Sequence, residues 1–386
     1  MKTYQYSLIV KKYGFLILVI IWLMITSQHL YFTGLFSKLE ADKYIREANR
    51  LVEQKGLSAK RFIFYSPTIL LIFFSIKLKA GLYGAFILQA LYNLFVTLFF
   101  YKTLQNYFEG YLYPFIVTFL LIIFLPYSNW IVYLYTESIF FSNILLLTTF
   151  VLRYKDKKNK KNFLLLLLSL LLVILSRPLG ILFLFPALVY FFVQANKKNK
   201  LIFLVCSLAG LTFFVYVSNV VFSTTEDASI TLAASQQCIV CGVIPTNSAV
   251  LKMADHGSPF FQLFYYVTNN FSNFLQLGLK KLSYFFLMTR NYYSVLHNAF
   301  LLLFLVPLYL LSLVYCFSKK EKSNQPVYLF QLTSIVLFAL AVMLQCDDYH
   351  NRFSLSLFPF FLLMGFDGLR WLRSTFKKNI KPPSLS

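Results

Sequence analysis

Charge is scarce in this 386-residue chain, and negative charge scarcer still: 13% of residues are charged, with 14 Asp and Glu against 36 Lys and Arg. A soluble domain carries about a quarter charged residues, so the composition excludes a cytosolic enzyme and a disordered chain. Five cysteines in a chain of this length do not make a secreted disulfide scaffold. Glycine is also sparse, at 13 residues, and no Gly-rich phosphate cradle appears, which argues against direct use of a nucleotide. No H-E-x-x-H motif and no Ser-His-Asp arrangement stands out. Internal repeats and low-complexity linkers are missing as well. Lys11 and Lys12 precede an apolar run from Phe15 to Ile25 with no small-residue cleavage pattern after it. An uncleaved first helix is therefore expected rather than a signal peptide.

What the chain does have is apolar length. Hydrophobic residues make up 59% of it and aromatic ones 19%, with a mean hydropathy of +0.66. About 20 apolar residues cross a ~30 Å hydrocarbon layer. Long apolar runs occupy 14–32, 62–78, 81–101, 111–126, 135–152, 163–176, 179–194, 201–222, 292–317, 326–345 and 353–372. These predict an all-α polytopic membrane protein of about 10–11 transmembrane or half-length helices, forming one integral domain over residues 1–386.

The net charge of +22 would point to nucleic acid in a soluble chain. Here the basic residues cluster between apolar runs, so topology is the cause and no nucleic-acid partner is expected. The densest clusters are Arg153 to Lys161, Lys197 to Lys200, Lys319 to Lys322 and Lys377-Lys378. Placing them on the cytoplasmic side puts three loops outside, at about 33–65, 223–291 and 346–352. Five runs separate Lys12 from Arg153, an odd number, so one of them does not span. The short runs 62–78 and 111–126 are the two candidates. Runs 163–176 and 179–194 read as two half-length helices meeting at Ser176-Arg177-Pro178.

The first outer loop predicts an amphipathic interfacial helix. Ala41, Tyr44, Ile45, Ala48, Leu51 and Val52 fall on one helical face. Ser37 and Glu40 are spaced as a capping box, and Gly56 suits a C-terminal stop. Arg46, Arg50 and Lys55 occupy the polar side, suited to the lipid interface. In this helix Glu40 reads as a cap or as a site carboxylate. Asp42 reads as the i,i+4 partner of Arg46, or as a general base or metal ligand at the membrane surface.

Further along, Glu137 opens run 135–152, where the helix dipole favours a carboxylate; it is either that or a second site carboxylate. Arg177 sits where a buried charge must be paired or face a cavity. Lys60 and Arg61 read as interfacial anchors within reach of a lipid phosphate. Asp347 to Arg352 form a polar knot in which Arg352 offers a planar fork for phosphate and His350 a titratable ring. His256 reads as surface decoration. Cys238-Ile-Val-Cys241 has metal-pair spacing but no second pair to complete four ligands.

Glu40-Ala41-Asp42-Lys43-Tyr44, followed by Ala48, Leu51, Gly56, Tyr65 and Pro67, resembles the first outer loop of GT-C glycosyltransferases, with the acidic pair in its E-x-D form. Pro126-Tyr127-Ser128 with Tyr135-Thr136-Glu137-Ser138 is similar to that family's second acidic position. Ser176-Arg177-Pro178-Leu179-Gly180 resembles its basic-Pro-Gly turn, and His350-Asn351-Arg352-Phe353 its late basic segment. The adjacent Asp-Glu of the protein-mannosyltransferase and aminoarabinose-transferase branches is missing from the first loop.

The resemblance implies an inverting membrane glycosyltransferase. It would move a sugar from a polyprenyl-phosphate donor to an acceptor hydroxyl on a lipid, glycan or protein. Asp42 and Glu137 would be the catalytic carboxylates, and Arg352, His350, Arg177 and Lys60 would hold the donor phosphate. The resemblance makes no cofactor certain; a divalent cation on Glu40, Asp42 and Glu137 stays open. The expected location is a bacterial cytoplasmic membrane, with the active site facing outside and membrane lipids as neighbours. A polysaccharide polymerase or ligase and a secondary transporter remain alternatives.

Overall fold

In a computed structural model of the chain, the structure describes residues 2–196, 200–201, 204–205, 207–210, 212, 216, 238–239, 251–254, 256–318, 324–344 and 351–379. Among these residues there are helices and no strand, the one β-type pairing being an isolated bridge between Phe36 and Tyr133. Five helices are long and apolar enough to cross a membrane, and a bent pair adds a sixth. The protein is an all-α polytopic membrane protein. Packing divides it into two compact units. One comprises residues 1–183, 310–323 and 358–386, the other 184–309 and 324–357.

In the first unit, α1 (Lys2–Thr33) and α4 (Gly81–Tyr107) run antiparallel. Trp22 Nε1 donates to Asn93 Oδ1 at 2.9 Å, and lower down Gly14 lies against the Tyr101 hydroxyl. Thr33 and Gly81 therefore lie at the same end. The chain between them leaves and re-enters at that end, so run 62–78 is the one that does not cross. Its helix α3 (Ser66–Lys77) has 12 residues, about 18 Å at 1.5 Å per residue, too short for the hydrocarbon layer.

The other short run does traverse the unit. Lys11 sits over the Tyr111 ring, 5.7 Å from its centroid, and His29 Nε2 is 3.0 Å from Ser128 Oγ. The helix α5 (Leu112–Ile123) and its continuation through α6 (Leu125–Ser128) and a 3-10 turn (Asn129–Val132) thus run the length of α1. A 66° bend separates the two parts, with Pro126 just beyond it.

Helix α7 (Thr136–Asp156) is the central element, with 89% of its most apolar stretch buried. By contrast α1 exposes Phe15, Leu16, Leu23 and Met24, as a lipid-facing helix does. α7 runs parallel to α4: Tyr92 pairs with Asn143, Phe99 packs on Phe150 at 5.6 Å, and Lys155 sits over Tyr107 at 5.0 Å. Helix α8 (Lys160–Ser176) returns beside it, so Glu137 and Arg177 share the end that holds Thr33. Lys11, Lys155 and Arg373, the last within 3.4 Å of the Tyr113 hydroxyl, lie at the opposite end.

In the second unit, α9 (Leu184–Gln194) packs on α13 (Gln325–Leu344), with Tyr190 edge-on to Phe330 at 6.3 Å. Helices α10 (Pro259–Asn269) and α11 (Phe271–Leu287) follow in the same unit; Gly278 of α11 admits the Met343 side chain. Helix α12 (Val295–Phe317) belongs to the second unit up to Tyr309, whose hydroxyl donates to the Phe286 carbonyl at 2.6 Å. The short α14 (Arg352–Ser356) closes this unit, and α15 (Phe358–Asn379) belongs to the first.

Candidate functional site

The site forms where the first inter-helix loop meets the head of α7. Phe36 N donates to the Val132 carbonyl at 2.9 Å, and Leu134 N donates to the Phe36 carbonyl at 3.0 Å. The Tyr135 hydroxyl adds a bond to the Lys38 carbonyl at 3.3 Å, and the Phe36 ring packs on Tyr133 at 5.0 Å. These contacts fasten the start of α2 (Glu40–Val52) beside the segment that leads into α7.

α2 buries Ala41, Tyr44, Glu47 and Ala48. Its amphipathic face is thus as expected in Ala41, Tyr44 and Ala48, while Val52 is exposed. Two expectations for its ends fail. The N-cap is Leu39, with φ 58° and no side-chain cap, so Ser37 and Glu40 make no capping box. Glu40 is instead the first helical residue, and its carboxylate is drawn to Lys43 (2.8 Å) and the Tyr44 hydroxyl (3.3 Å). At the other end Gln54 (φ 59°) takes the left-handed position expected of Gly56. Lys55 N closes the turn on the Arg50 carbonyl at 2.9 Å, and Gly56 follows with φ +69°.

Glu47 replaces an apolar residue on the buried face. It is 4% exposed and accepts from both the backbone N–H of Ser58 (2.8 Å) and the Ser58 hydroxyl. It clips residues 53–59 onto α2 and so places the 3-10 helix Lys60–Tyr65, whose last residue faces Tyr44 with ring centroids 5.4 Å apart. Sequence reasoning passed over Glu47. The signal was there: an acidic residue in register with Ala41, Tyr44 and Ala48.

At the head of α7, Glu137 is fully buried and pairs with Arg177 through Nη1–Oε1 at 2.5 Å. Arg177 is 9% exposed and follows the last residue of α8. Asn143 holds the two helices in register: its amide donates to Ser176 Oγ at 2.6 Å, while its oxygen accepts from Tyr92 of α4. Pro178 ends α8, and the chain turns back as a 3-10 helix (Pro178–Phe183) so tightly that a Cβ at Gly180 would lie 2.2 Å from the Val173 carbonyl oxygen.

These groups form one electrostatic neighbourhood around Tyr44. Burial pushes the Tyr44 phenol well above its usual 10.0, the carboxylates of Glu40 and Glu137 add to the rise, and Arg177 opposes it. Tyr65 is raised too, chiefly by burial, with Arg177 and Arg61 the opposing charges. Lys43 lies over both rings, at 4.9 Å from Tyr44 and 5.6 Å from Tyr65. The result is a buried polar cluster of two phenols and an ion pair, with the Tyr44 hydroxyl donating to Glu40 and Arg177 held by Glu137.

Asp42 stands on the exposed side of α2 and forms no ion pair with Arg46 among the described residues. It is the exposed carboxylate of the E-x-D pair, while Glu40 is turned toward Tyr44. Lys60 is exposed at the start of its 3-10 helix, and the Arg61 guanidinium covers the Phe62 ring at 5.6 Å. Among the described residues no three His, Cys, Asp or Glu side chains gather to hold a metal, so Glu40, Asp42 and Glu137 do not form one ligand set.

Arg352 belongs to the second unit, at the start of α14, and is half-buried there. His350 lies outside the described residues, as do Asp347, Asp348 and Cys241. The site is built from first-unit residues alone. In the second unit Arg290, which the sequence did not flag, is 1% exposed; its guanidinium donates to the carbonyls of Tyr284 and Thr289 at 3.1 and 3.0 Å. His256 is exposed. No protein-family model matches the chain, and it matches no curated protein and no solved structure.

Proposed function

We propose that the protein is a membrane glycosyltransferase that moves a sugar from a polyprenyl-phosphate donor to an acceptor hydroxyl on the non-cytoplasmic side of a bacterial cytoplasmic membrane. The observation that carries this reading is the meeting of the two acidic segments. Glu40, which opens the E-x-D segment, and Glu137 are far apart in the chain, yet the charges of both act on the Tyr44 phenol, as does that of Arg177, which pairs with Glu137.

In this reading the exposed Asp42 accepts the proton of the acceptor hydroxyl as its oxygen bonds to the anomeric carbon. The bond from that carbon to the lipid phosphate breaks on the opposite side, which inverts the sugar. General base catalysis of this kind contributes about 10²–10⁴ in rate. The departing phosphate carries the growing charge, and preorganised donors beside it lower the barrier. Arg177 supplies a planar fork, the Tyr44 and Tyr65 phenols supply neutral O–H donors, and Lys60 supplies a mobile surface charge. The Glu137 carboxylate fixes Arg177 and keeps the buried guanidinium from standing alone in an apolar setting.

The test is mass spectrometry of lipid-linked sugars in cells lacking the protein, complemented with the wild type or with Asp42→Asn. An accumulating polyprenyl-phosphate sugar that the wild type clears and Asp42→Asn does not, at equal membrane levels, is the expected result. Full clearance by Asp42→Asn removes the base assignment, and absence of any accumulating donor or missing glycan removes the enzyme reading.

A further inference from the structure

The first unit holds a partly open cavity that offers about 30 Å³ to the centres of water-sized spheres. Its lining includes Trp22, Thr26, Asn93, Tyr127, Ser128 and Ser138. Two of these carry a buried polar atom with no hydrogen-bond partner among the described residues: Tyr127 Oη and Ser138 Oγ, on residues 6% and 4% exposed. Neither sits there for want of alternatives. The Tyr127 ring is clamped by a stack on Phe141 at 5.1 Å and by Phe358 at 5.7 Å, so its hydroxyl cannot swing out to solvent. Ser138 lies in the first turn of α7, one residue beyond Glu137.

Buried polar groups in folded proteins find a partner in the great majority of cases, and ordered water is the usual one when protein is not. A water needs roughly 10–15 Å³ measured in this way, together with two to four polar partners. The space here accepts one or two waters and is far too small for a sugar or a phosphate. The partners are in place: besides the two hydroxyls, Ser128 Oγ is bonded to His29 Nε2 at 3.0 Å, and the Asn93 side chain bridges Trp22 and Ser142 at 2.9 and 3.0 Å. An apolar cavity would stay dry; this one is rimmed by hydroxyls and an amide at bilayer depth, where irregular polar groups persist only beside protein or water.

We propose that this cavity is a built water site. One or two ordered waters bond Tyr127 and Ser138 and extend a hydrogen-bonded chain from His29 through Ser128 to the head of α7. The inference concerns hydration alone and is independent of the reaction assigned to the candidate site.

X-ray radiolytic footprinting of the full chain in nanodiscs, read by mass spectrometry, tests it, because radicals born from a bound water oxidise the side chains that touch it even when bulk solvent does not. Tyr190, fully buried against Phe191 and Phe330, is the dry reference. The expected result is oxidation of Tyr127 several-fold faster than of Tyr190, lost when Thr97→Leu fills the cavity from α4. Ser138→Val fills it from α7 and gives the same reading if the first variant does not insert. Equal rates at Tyr127 and Tyr190 in the wild type mean a dry cavity and overturn the proposal. Undiminished Tyr127 oxidation in a correctly inserted filled variant overturns it as well, by placing the water elsewhere.

Discussion

Glu137 and Arg177, 40 positions apart, meet at 2.5 Å in the first unit with Glu137 wholly out of solvent. The pair joins the start of α7 to the end of α8 and makes each residue's chemistry conditional on the other. Breaking a buried pair by removing one partner costs about 3–5 kcal/mol, whereas replacing both can be nearly neutral. Glu137→Gln and Arg177→Met should therefore each lower thermal stability in detergent markedly, and the double variant should lose less than the sum. Strict additivity in that cycle would show that the two charges are not coupled.

Glu47 fastens the loop that follows α2. Its bonds to Ser58 are accepted by a charged group, a kind that contributes about 1.5–3 kcal/mol. Glu47→Ala is expected to speed proteolytic cleavage within residues 53–59 while leaving the transmembrane helices protected. An unchanged cleavage pattern would show that the loop is held by other contacts.

The Tyr44 phenol is raised above its unfolded value of 10.0, so the folded state holds that proton more tightly than the unfolded chain does. The linked stability is fully present below about pH 10 and is lost as pH rises from there through the folded value. Alkaline unfolding curves should show the wild type falling more steeply above pH 10 than Tyr44→Phe, which has no proton to lose. Identical slopes would mean that Tyr44 ionises as an ordinary surface tyrosine.

Gly180 has no room for a side chain, since its Cβ would meet the Val173 carbonyl at 2.2 Å. Gly180→Ala is expected to cost about 1–3 kcal/mol, the range for overpacking a filled site, and to displace Arg177 three residues earlier. A melting temperature equal to that of the wild type would place the turn farther from α8 than it is described.

The helices were legible because hydrophobic runs report burial in lipid or protein directly, and the amphipathic α2 was legible from Ala41, Tyr44 and Ala48. Other features depend on contacts that no local pattern encodes. Run 62–78 and run 111–126 look alike in hydropathy; the pairings of Trp22 with Asn93 and of His29 with Ser128 separate them. Ser37 and Glu40 have capping-box spacing, but the chain enters α2 through Leu39 in the left-handed region because Phe36 is tied to Val132 and Leu134. Glu137 and Arg177 were each visible as charges in apolar surroundings. That they neutralise one another follows from the register of α7 and α8, set by Asn143 and Ser176.

The isolated bridge between Phe36 and Tyr133 has a mechanical consequence. It couples the exit of α1 to the entrance of α7 through main-chain bonds, which side-chain substitution leaves largely intact. The spacing between the end of α1 and the head of α7 is therefore set by backbone bonds and not by the side chains that surround Tyr44.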